Sequence, residues 1–246
     1  LSYFSIRNRP ETGGSGWNNN AFAALHIPGN KPLTRMCEGP VPQNIVWDGG
    51  GTGPHQAKDG FPRFNKSTFT GEYPFARMKM TDPAFPLSVE LEGFNPFIPL
   101  DEKNSGIPCA ILTYTLKNTS KNSVPFQFSY HLGNLATDSQ NSAGAVHTVI
   151  PGTGVLLGNE DHPNADTFGT AFLTAAGRRP DVIKGSWFRG GHFDVMSVLW
   201  KEISEGKIIP NKGTAGKKPK AGSPELRGHA GCSLMFKGTL KPGESA

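Results

Sequence analysis

Carboxyl groups near the aromatic-rich centre of the sequence are the first candidates for chemistry. Asp101 and Glu102 are adjacent in one loop, and Glu90 and Glu92 alternate along a predicted strand. Hydrolysis of a glycoside uses two carboxyl groups on opposite sides of the bond to be cleaved. Loop neighbours do not necessarily face each other, and outward-pointing strand carboxylates are ordinarily solvated or paired with Lys or Arg. The pattern therefore favours structural carboxylates, and we predict no catalytic residue in this chain.

Other reactive patterns are incomplete. The seven histidines are scattered without metal-ligand spacing, so we predict no metal site. Residues 49–53 are rich in glycine but lack the Gly-Lys-Ser/Thr ending of a phosphate-binding loop, which predicts a surface loop and no bound cofactor. Cys109 and Cys232 each open an apolar run, so both are predicted to be buried. Together with Cys37 they allow at most one disulfide.

The formal net charge of +5 is concentrated in one segment. Residues 201–226 contain six Lys and three Glu among Gly and Pro residues, which is typical of a solvated loop. A nucleic-acid-binding surface more often interleaves Arg with stacking aromatic side chains, so we expect no nucleic-acid partner. No apolar run approaches the roughly eighteen residues that a membrane-spanning helix needs, and no transmembrane segment is predicted.

Alternating apolar and polar residues predict many strands. The clearest are residues 85–92, 109–117 and 125–131, where apolar side chains occupy every second position. A polar turn at 118–123 separates the last two, which predicts a hairpin between them. Further strands are predicted at residues 145–150, 154–157, 170–174 and 232–240.

One helix is predicted at residues 194–205, with Asp194 as its N-cap and an end at Gly206. Its buried face is expected to carry Val195, Val198, Leu199 and Ile203. Many strands with little helix indicate an all-β chain, an antiparallel β-sandwich with long loops and at most one or two short helices. No internal repeat or second composition regime appears, so residues 1–246 are predicted to form a single domain.

Residues 94–108, hereafter the 94–108 loop, are apolar yet suit neither a helix nor an inner strand. Pro96, Pro99 and Pro108 remove three backbone donors and restrict the residue before each of them. Two turns follow the aromatic residues, an acidic one at 101–102 and a second at 104–106. We predict a rigid loop of fixed shape.

Four segments resemble a known family: residues 73–80, 85–92, 94–108 and the strand that runs into 118–119. They are similar to the N-terminal domain of glycoside hydrolase family 116, the family of bile-acid β-glucosidase and non-lysosomal glucosylceramidase-like enzymes. Residues 4–10 and 240–245 extend the resemblance to nearly the whole chain. The resemblance implies a β-sandwich that precedes an (α/α)₆ barrel, in an enzyme that removes β-linked glucose or a related sugar with retention of configuration. Because the catalytic carboxylates of this family belong to the barrel, expected downstream of residue 246, this chain alone is expected to be inactive.

The resemblance implies a non-catalytic domain that packs on the barrel and helps to wall the site for the carbohydrate substrate. The predicted interdomain contacts are Phe94, Phe97, Ile98 and Asp101, and the predicted wall residues are Trp17, His55 and Asp59. A different alternative is a free-standing carbohydrate-binding module in which Trp17, Trp47 or Trp187 stacks on sugar rings. An independent enzyme is the third alternative.

Overall fold

The computed structural model describes residues 21–40, 60–136, 145–159, 169–187, 195–213 and 231–246. Within these residues the chain forms twelve strands and two short helices, in agreement with the predicted all-β class. The first six strands and the first helix are β1 (Ala21–Ile27), β2 (Leu33–Met36), β3 (Lys66–Glu72), β4 (Phe75–Thr81), β5 (Leu87–Phe94), α1 (Glu102–Ser105) and β6 (Ile111–Asn118). The remainder are β7 (Val124–Gly133), β8 (Ala145–Ile150), β9 (Gly154–Asn159), β10 (Thr170–Thr174), β11 (Val182–Lys184), α2 (Val195–Ser204) and β12 (Gly231–Leu240).

The strands form three antiparallel sheets. A five-stranded sheet has the order β11-β12-β7-β1-β2, and its two longest strands, β7 and β12, pair over ten residues. A four-stranded sheet, β3-β4-β5-β6, and a three-stranded sheet, β10-β9-β8, contain strands that are consecutive in sequence. The strand segments predicted at 145–150 and 170–174 are confirmed with the same bounds.

One core lies between the five-stranded sheet and the other two. Its members come from all three sheets and include Leu25 of β1, Val89 of β5, Phe126 of β7 and Val155 of β9. In β5 the predicted alternation holds, since Leu87, Val89 and Leu91 are buried while the residues between them are not. Period-two burial of this kind fixes which face of each strand joins the core.

The opposite face of the five-stranded sheet is covered by α2. Met196, Leu199 and Ile203 of α2 are buried in a second cluster that includes Phe22 of β1 and Met235 of β12. The prediction that Val198 belongs to the buried face is wrong, because the helix turns that side chain toward solvent, where 36% of it is exposed. Met196 takes its place, three residues before Leu199 on the same face.

The predicted hairpin between β6 and β7 is wrong, because the two strands lie in different sheets. The ring of Tyr114 in β6 contacts the ring of Phe128 in β7 across the core, with centroids 4.9 Å apart. The connection between the strands is held by buried Asn118, which donates to the carbonyls of Asn122 and Leu240 at 2.7 and 2.9 Å. A chain that crosses from one layer to the next in this way is typical of β-sandwiches.

Candidate interdomain surface

Glu90 and Glu92 lie on the outer face of the four-stranded sheet, with Glu92 bound to a neighbouring strand. Arg77 Nε donates to Glu92 Oε2 at 2.8 Å, and Arg77 Nη1 lies 3.4 Å from Glu72 Oε2. The hydrogen bond to Glu92 is the main cause that raises the pKa of Arg77. Lys79 is the register partner of Glu90. These carboxylates therefore belong to a cross-strand ladder of charges, as the structural interpretation of the sequence predicted.

Asp101 has a local structural role as the N-cap of α1. Its Oδ1 accepts the backbone N–H of Asn104 at 3.0 Å, and its Oδ2 accepts the side-chain amide of the same residue. These hydrogen bonds lower the pKa of the Asp101 carboxyl. Glu102 follows in the first turn of α1 and is exposed. Asp101 and Glu102 therefore form the start of the turn that the sequence predicts at 101–102.

The 94–108 loop is held in shape by hydrogen bonds across its base. Ser105 Oγ accepts the N–H of Ile98 at 2.9 Å and donates to the carbonyl of Ile98 at 2.8 Å. The side-chain amide of Asn95 donates to the carbonyl of Cys109 at 2.9 Å, which ties the start of the loop to its end. The start, middle and end of the loop are therefore joined by hydrogen bonds within the loop.

A set of large apolar side chains is exposed on this loop and on the adjacent end of the four-stranded sheet. We call this surface the apolar end, and it comprises Tyr73, Phe97, Ile98, Leu100, Ile107 and Ile111. Tyr73 is 72% exposed and contacts Phe97, which is 50% exposed, in an edge-to-face pair with centroids 5.8 Å apart. Leu100 is fully exposed and has a left-handed backbone with φ of 66°. Bulky residues rarely adopt this conformation without a reason.

A row of three cross-strand neighbours in the four-stranded sheet lies next to the apolar end and includes one of its members. Phe75, Phe94 and Ile111 are register partners on three adjacent strands. The rings of Phe75 and Phe94 stack with centroids 5.2 Å apart, and the Arg77 guanidinium lies 5.1 Å from the centroid of Phe75. Phe94 is therefore partly covered by its neighbours, while Ile111 remains exposed.

The four residues predicted as interdomain contacts lie together on one loop, with different surroundings. Phe97 and Ile98 are half exposed, Phe94 is stacked within the sheet, and Asp101 caps α1. Tyr73, Leu100, Ile107 and Ile111 were not among the predicted contacts. Ile107 lies inside the same proline-rich block, but placing Tyr73 and Ile111 beside it required the strand register.

The predicted sugar-wall residues Trp17, His55 and Asp59 lie outside the described residues, as does Trp47. Trp187 is described, and it is unsuitable as a platform for sugar because its exposure is 3%. Its Nε1–H donates to Ser233 Oγ at 2.8 Å inside the cluster beneath α2. Its role is packing.

The prediction that Cys109 is buried is wrong, whereas Cys232 is buried as predicted. Cys109 follows Pro108 in the segment that leads from the loop into β6. Its carbonyl accepts the hydrogen bond from the side-chain amide of Asn95 at the surface. All three thiols are free.

A buried polar chain runs through the five-stranded sheet at His131. Ser233 Oγ lies 2.8 Å from His131 Nδ1, and Ser129 Oγ lies 2.9 Å from Nε2. Ser233 Oγ also accepts the Trp187 indole N–H at 2.8 Å, so the two serines and the indole satisfy the polar atoms around the ring. Burial is the main cause that lowers the pKa of His131 to about 3, so the ring is neutral. The described hydrogen bonds of this Ser–His arrangement include no carboxylate, and the ring has no exposed surface, so its role is structural.

The described residues contain neither a metal-ligand cluster nor a membrane-spanning helix. No group of three or more His, Cys, Asp and Glu side chains there is placed to hold a metal ion. In that same part of the chain, no helix has the length and apolar composition to cross a membrane.

The described residues thus define an antiparallel β-sandwich with a hydrogen-bonded loop that presents apolar side chains at one end. A family model described as beta-glucosidase 2, glycosyl-hydrolase family 116 N-term, matches residues 12–246. The chain belongs to this family and is an N-terminal domain of family 116 β-glucosidases. Membership implies a catalytic domain in the same protein. No curated protein matches the chain.

Proposed function

We propose that this domain packs on the catalytic domain of its β-glucosidase through the apolar end and is itself non-catalytic. The observation that carries the proposal is the group of six exposed large apolar residues on and beside the 94–108 loop. Scattered apolar residues are ordinary on a protein surface, but contiguous ones commonly mark an interface. Trp17, His55 and Asp59 are assigned to the wall of the sugar site, as the family resemblance implies.

The loop suits a docking role because its order is established before binding. Ser105, Asp101 and Asn95 fix its backbone with their own hydrogen bonds, so little conformational entropy remains to be lost on association. Phe97 and Tyr73 form a preassembled aromatic pair of the kind that anchors interfaces. A stable interface buries roughly 800 Å² on each partner, so the apolar end would form its centre and polar neighbours its rim.

The first test compares two phenylalanines in the full-length enzyme. Phe97→Ala removes a side chain of the apolar end, and Phe172→Ala removes one of similar exposure, 45%, from the three-stranded sheet. We expect Phe97→Ala to weaken domain packing by about 1–3 kcal/mol, lowering the midpoint of thermal unfolding and the hydrolysis of a β-glucoside. Phe172→Ala is expected to change both by much less.

The same two variants of the present chain provide the control. Since Phe97 is half exposed, its truncation here is expected to cost less than about 1 kcal/mol. Equal effects of the two substitutions in the full-length enzyme would contradict packing through the apolar end. Turnover of a β-glucoside by the present chain, or glycan binding measured by calorimetry, would instead favour the enzyme or carbohydrate-binding alternatives.

A further inference from the structure

The outer edge of β6 is partly occupied by the last described residues of the chain. Leu116 and Ala246 exchange two backbone hydrogen bonds, of 2.7 and 3.0 Å. The Asn118 N–H donates to the carbonyl of Glu244 at 2.9 Å, and the Gly243 N–H donates to the carbonyl of Asn118 at 3.1 Å. Residues 243–246 therefore pair antiparallel with the end of β6, which is an edge strand of the four-stranded sheet.

The rest of this edge is open among the described residues. In a strand, alternate residues direct their N–H and C=O groups to opposite sides. The backbone groups of Leu116 point away from β5, since they bond to Ala246. The backbone groups of Tyr114 and Leu112 therefore point to the same outer side. Those of Thr113 and Thr115 point toward β5. On the side of β6 that faces away from β5, the described part of the chain pairs only with Leu116, Lys117 and Asn118.

The sequence of this open edge favours pairing. Residues 111–115, Ile-Leu-Thr-Tyr-Thr, are β-branched or aromatic except for Leu112, and they contain no charge or proline. Natural proteins usually protect an exposed edge with Lys, Pro, a bulge or a covering segment, because unpaired backbone groups recruit another strand. An unprotected edge of this composition is suited to strand addition.

We propose that a strand from the catalytic part of the same protein adds to the open edge of β6 at residues 111–115. It runs in the direction that residues 243–246 already take, from Leu116 toward Ile111, and so reaches the apolar end. The inference rests on the proposed function, since it assigns a backbone partner to the docking surface. The added strand makes two hydrogen-bonded pairs, one with Tyr114 and one with Leu112.

The register also specifies the side chains of the added strand. Leu112 and Tyr114 point into the core between the sheets, where both are partly buried. Residues opposite them on the new strand face the same core and are apolar. Residues opposite Thr113 and Thr115 face the polar outer surface of the sheet, since both threonines are exposed. The occupant is therefore a short amphipathic β-strand with alternating apolar and polar residues.

Amide hydrogen exchange resolved to single residues tests the proposal. The amides of Leu112 and Tyr114 are expected to exchange at least about a hundredfold more slowly in the full-length protein than in the present chain. Those of Thr113 and Thr115, which bond to β5, provide internal controls and are expected to be protected in both. Equal exchange of the Leu112 and Tyr114 amides in the two proteins would overturn the proposal. Protection that rises with the concentration of the present chain alone would also overturn it, because the occupant would be a second copy.

A pair of substitutions at Leu112 separates the backbone from the side chain. Leu112→Pro removes the outward donor, whereas Leu112→Ala shortens the same side chain and keeps the donor. In the full-length protein, the Pro variant is expected to expose the Tyr114 amide to exchange, and the Ala variant is not. If both variants keep that amide protected, its protection does not depend on a strand that pairs through Leu112, and the proposed strand is contradicted. Should Phe97→Ala loosen the domains while the Leu112 and Tyr114 amides exchange freely, the strand proposal fails and the packing proposal stands.

Discussion

At the residue scale, buried His131 makes the stability of the folded chain depend on pH. The ring stacks on Phe22 with centroids 4.5 Å apart, and both ring nitrogens have hydroxyl partners. Burial, and secondarily the charge of Lys184, lowers the pKa of His131 from 6.5 to about 3. Below pH 6.5 the unfolded chain therefore binds a proton at this position that the folded chain does not. The stabilisation is complete above pH 6.5 and is lost as the pH falls toward 3.

We expect the contribution of His131 to the free energy of unfolding to fall by about 1.4 kcal/mol for each pH unit below 6.5. His131→Gln cannot titrate, so its stability should be lower at neutral pH but should depend less steeply on pH. Ser129→Ala keeps the titrating ring while removing one hydroxyl partner, and it should retain the wild-type slope. Urea unfolding between pH 4 and 7.5 measures all three proteins. An unchanged slope in His131→Gln would show that this ring does not control acid stability.

Residue types and spacing predicted part of the candidate surface. Prolines at 96, 99 and 108 exclude helix and inner strand, so the sequence alone predicted the 94–108 loop. The left-handed backbone of Leu100 could not be predicted in the same way, because a leucine rarely adopts this conformation. Tyr73 joins the surface through its ring contact with Phe97, twenty-four residues away along the chain.

At the element scale, α2 illustrates the precision of periodicity. A helix was predicted at 194–205 and is observed at Val195–Ser204. Because apolar residues occur around the helix, the sequence did not determine whether Met196 or Val198 faces the sheet. Packing on the five-stranded sheet determines the buried face, because Met196, Leu199 and Ile203 pack in the cluster that contains Phe22.

Leu199→Ala is expected to destabilise the chain by about 2–4 kcal/mol, since it leaves a cavity between α2 and the five-stranded sheet. Val198→Ala, one position along the same helix, is expected to change stability by about 0.5 kcal/mol or less. Denaturant unfolding of the two variants checks the comparison. A larger loss for Val198→Ala would reverse the observed orientation of α2.

The connection between β6 and β7 shows where local sequence stops being informative. Alternation located both strands, but a polar turn of six residues is compatible with a hairpin and with a crossing between layers. The choice depends on Asn118, whose amide reaches Leu240, 122 positions later in the sequence. Such long-range partners are set by the assembled sheets and not by the residues of the turn.

At the scale of the whole molecule, the three cysteines report on different environments. Cys109 is exposed at the end of the 94–108 loop, whereas Cys37 and Cys232 are buried. Burial raises the pKa of both buried thiols, and Glu38 adds to the effect at Cys37. Because the thiolate is the reactive form, both are expected to be inert at neutral pH. N-ethylmaleimide is therefore a probe of Cys109 in the folded chain.

We expect N-ethylmaleimide at pH 7 to label Cys109 alone in the native chain and all three cysteines in denaturant, as mapped by peptide mass spectrometry. If the apolar end packs on the catalytic domain, Cys109 should react at least about tenfold more slowly in the full-length protein, because Asn95 ties it to the base of the loop. Phe97→Ala should recover part of the rate, and Phe172→Ala should not. Equal labelling rates in the full-length protein and the present chain would mean that the base of the loop stays accessible. Packing would then have to use another surface of the sandwich.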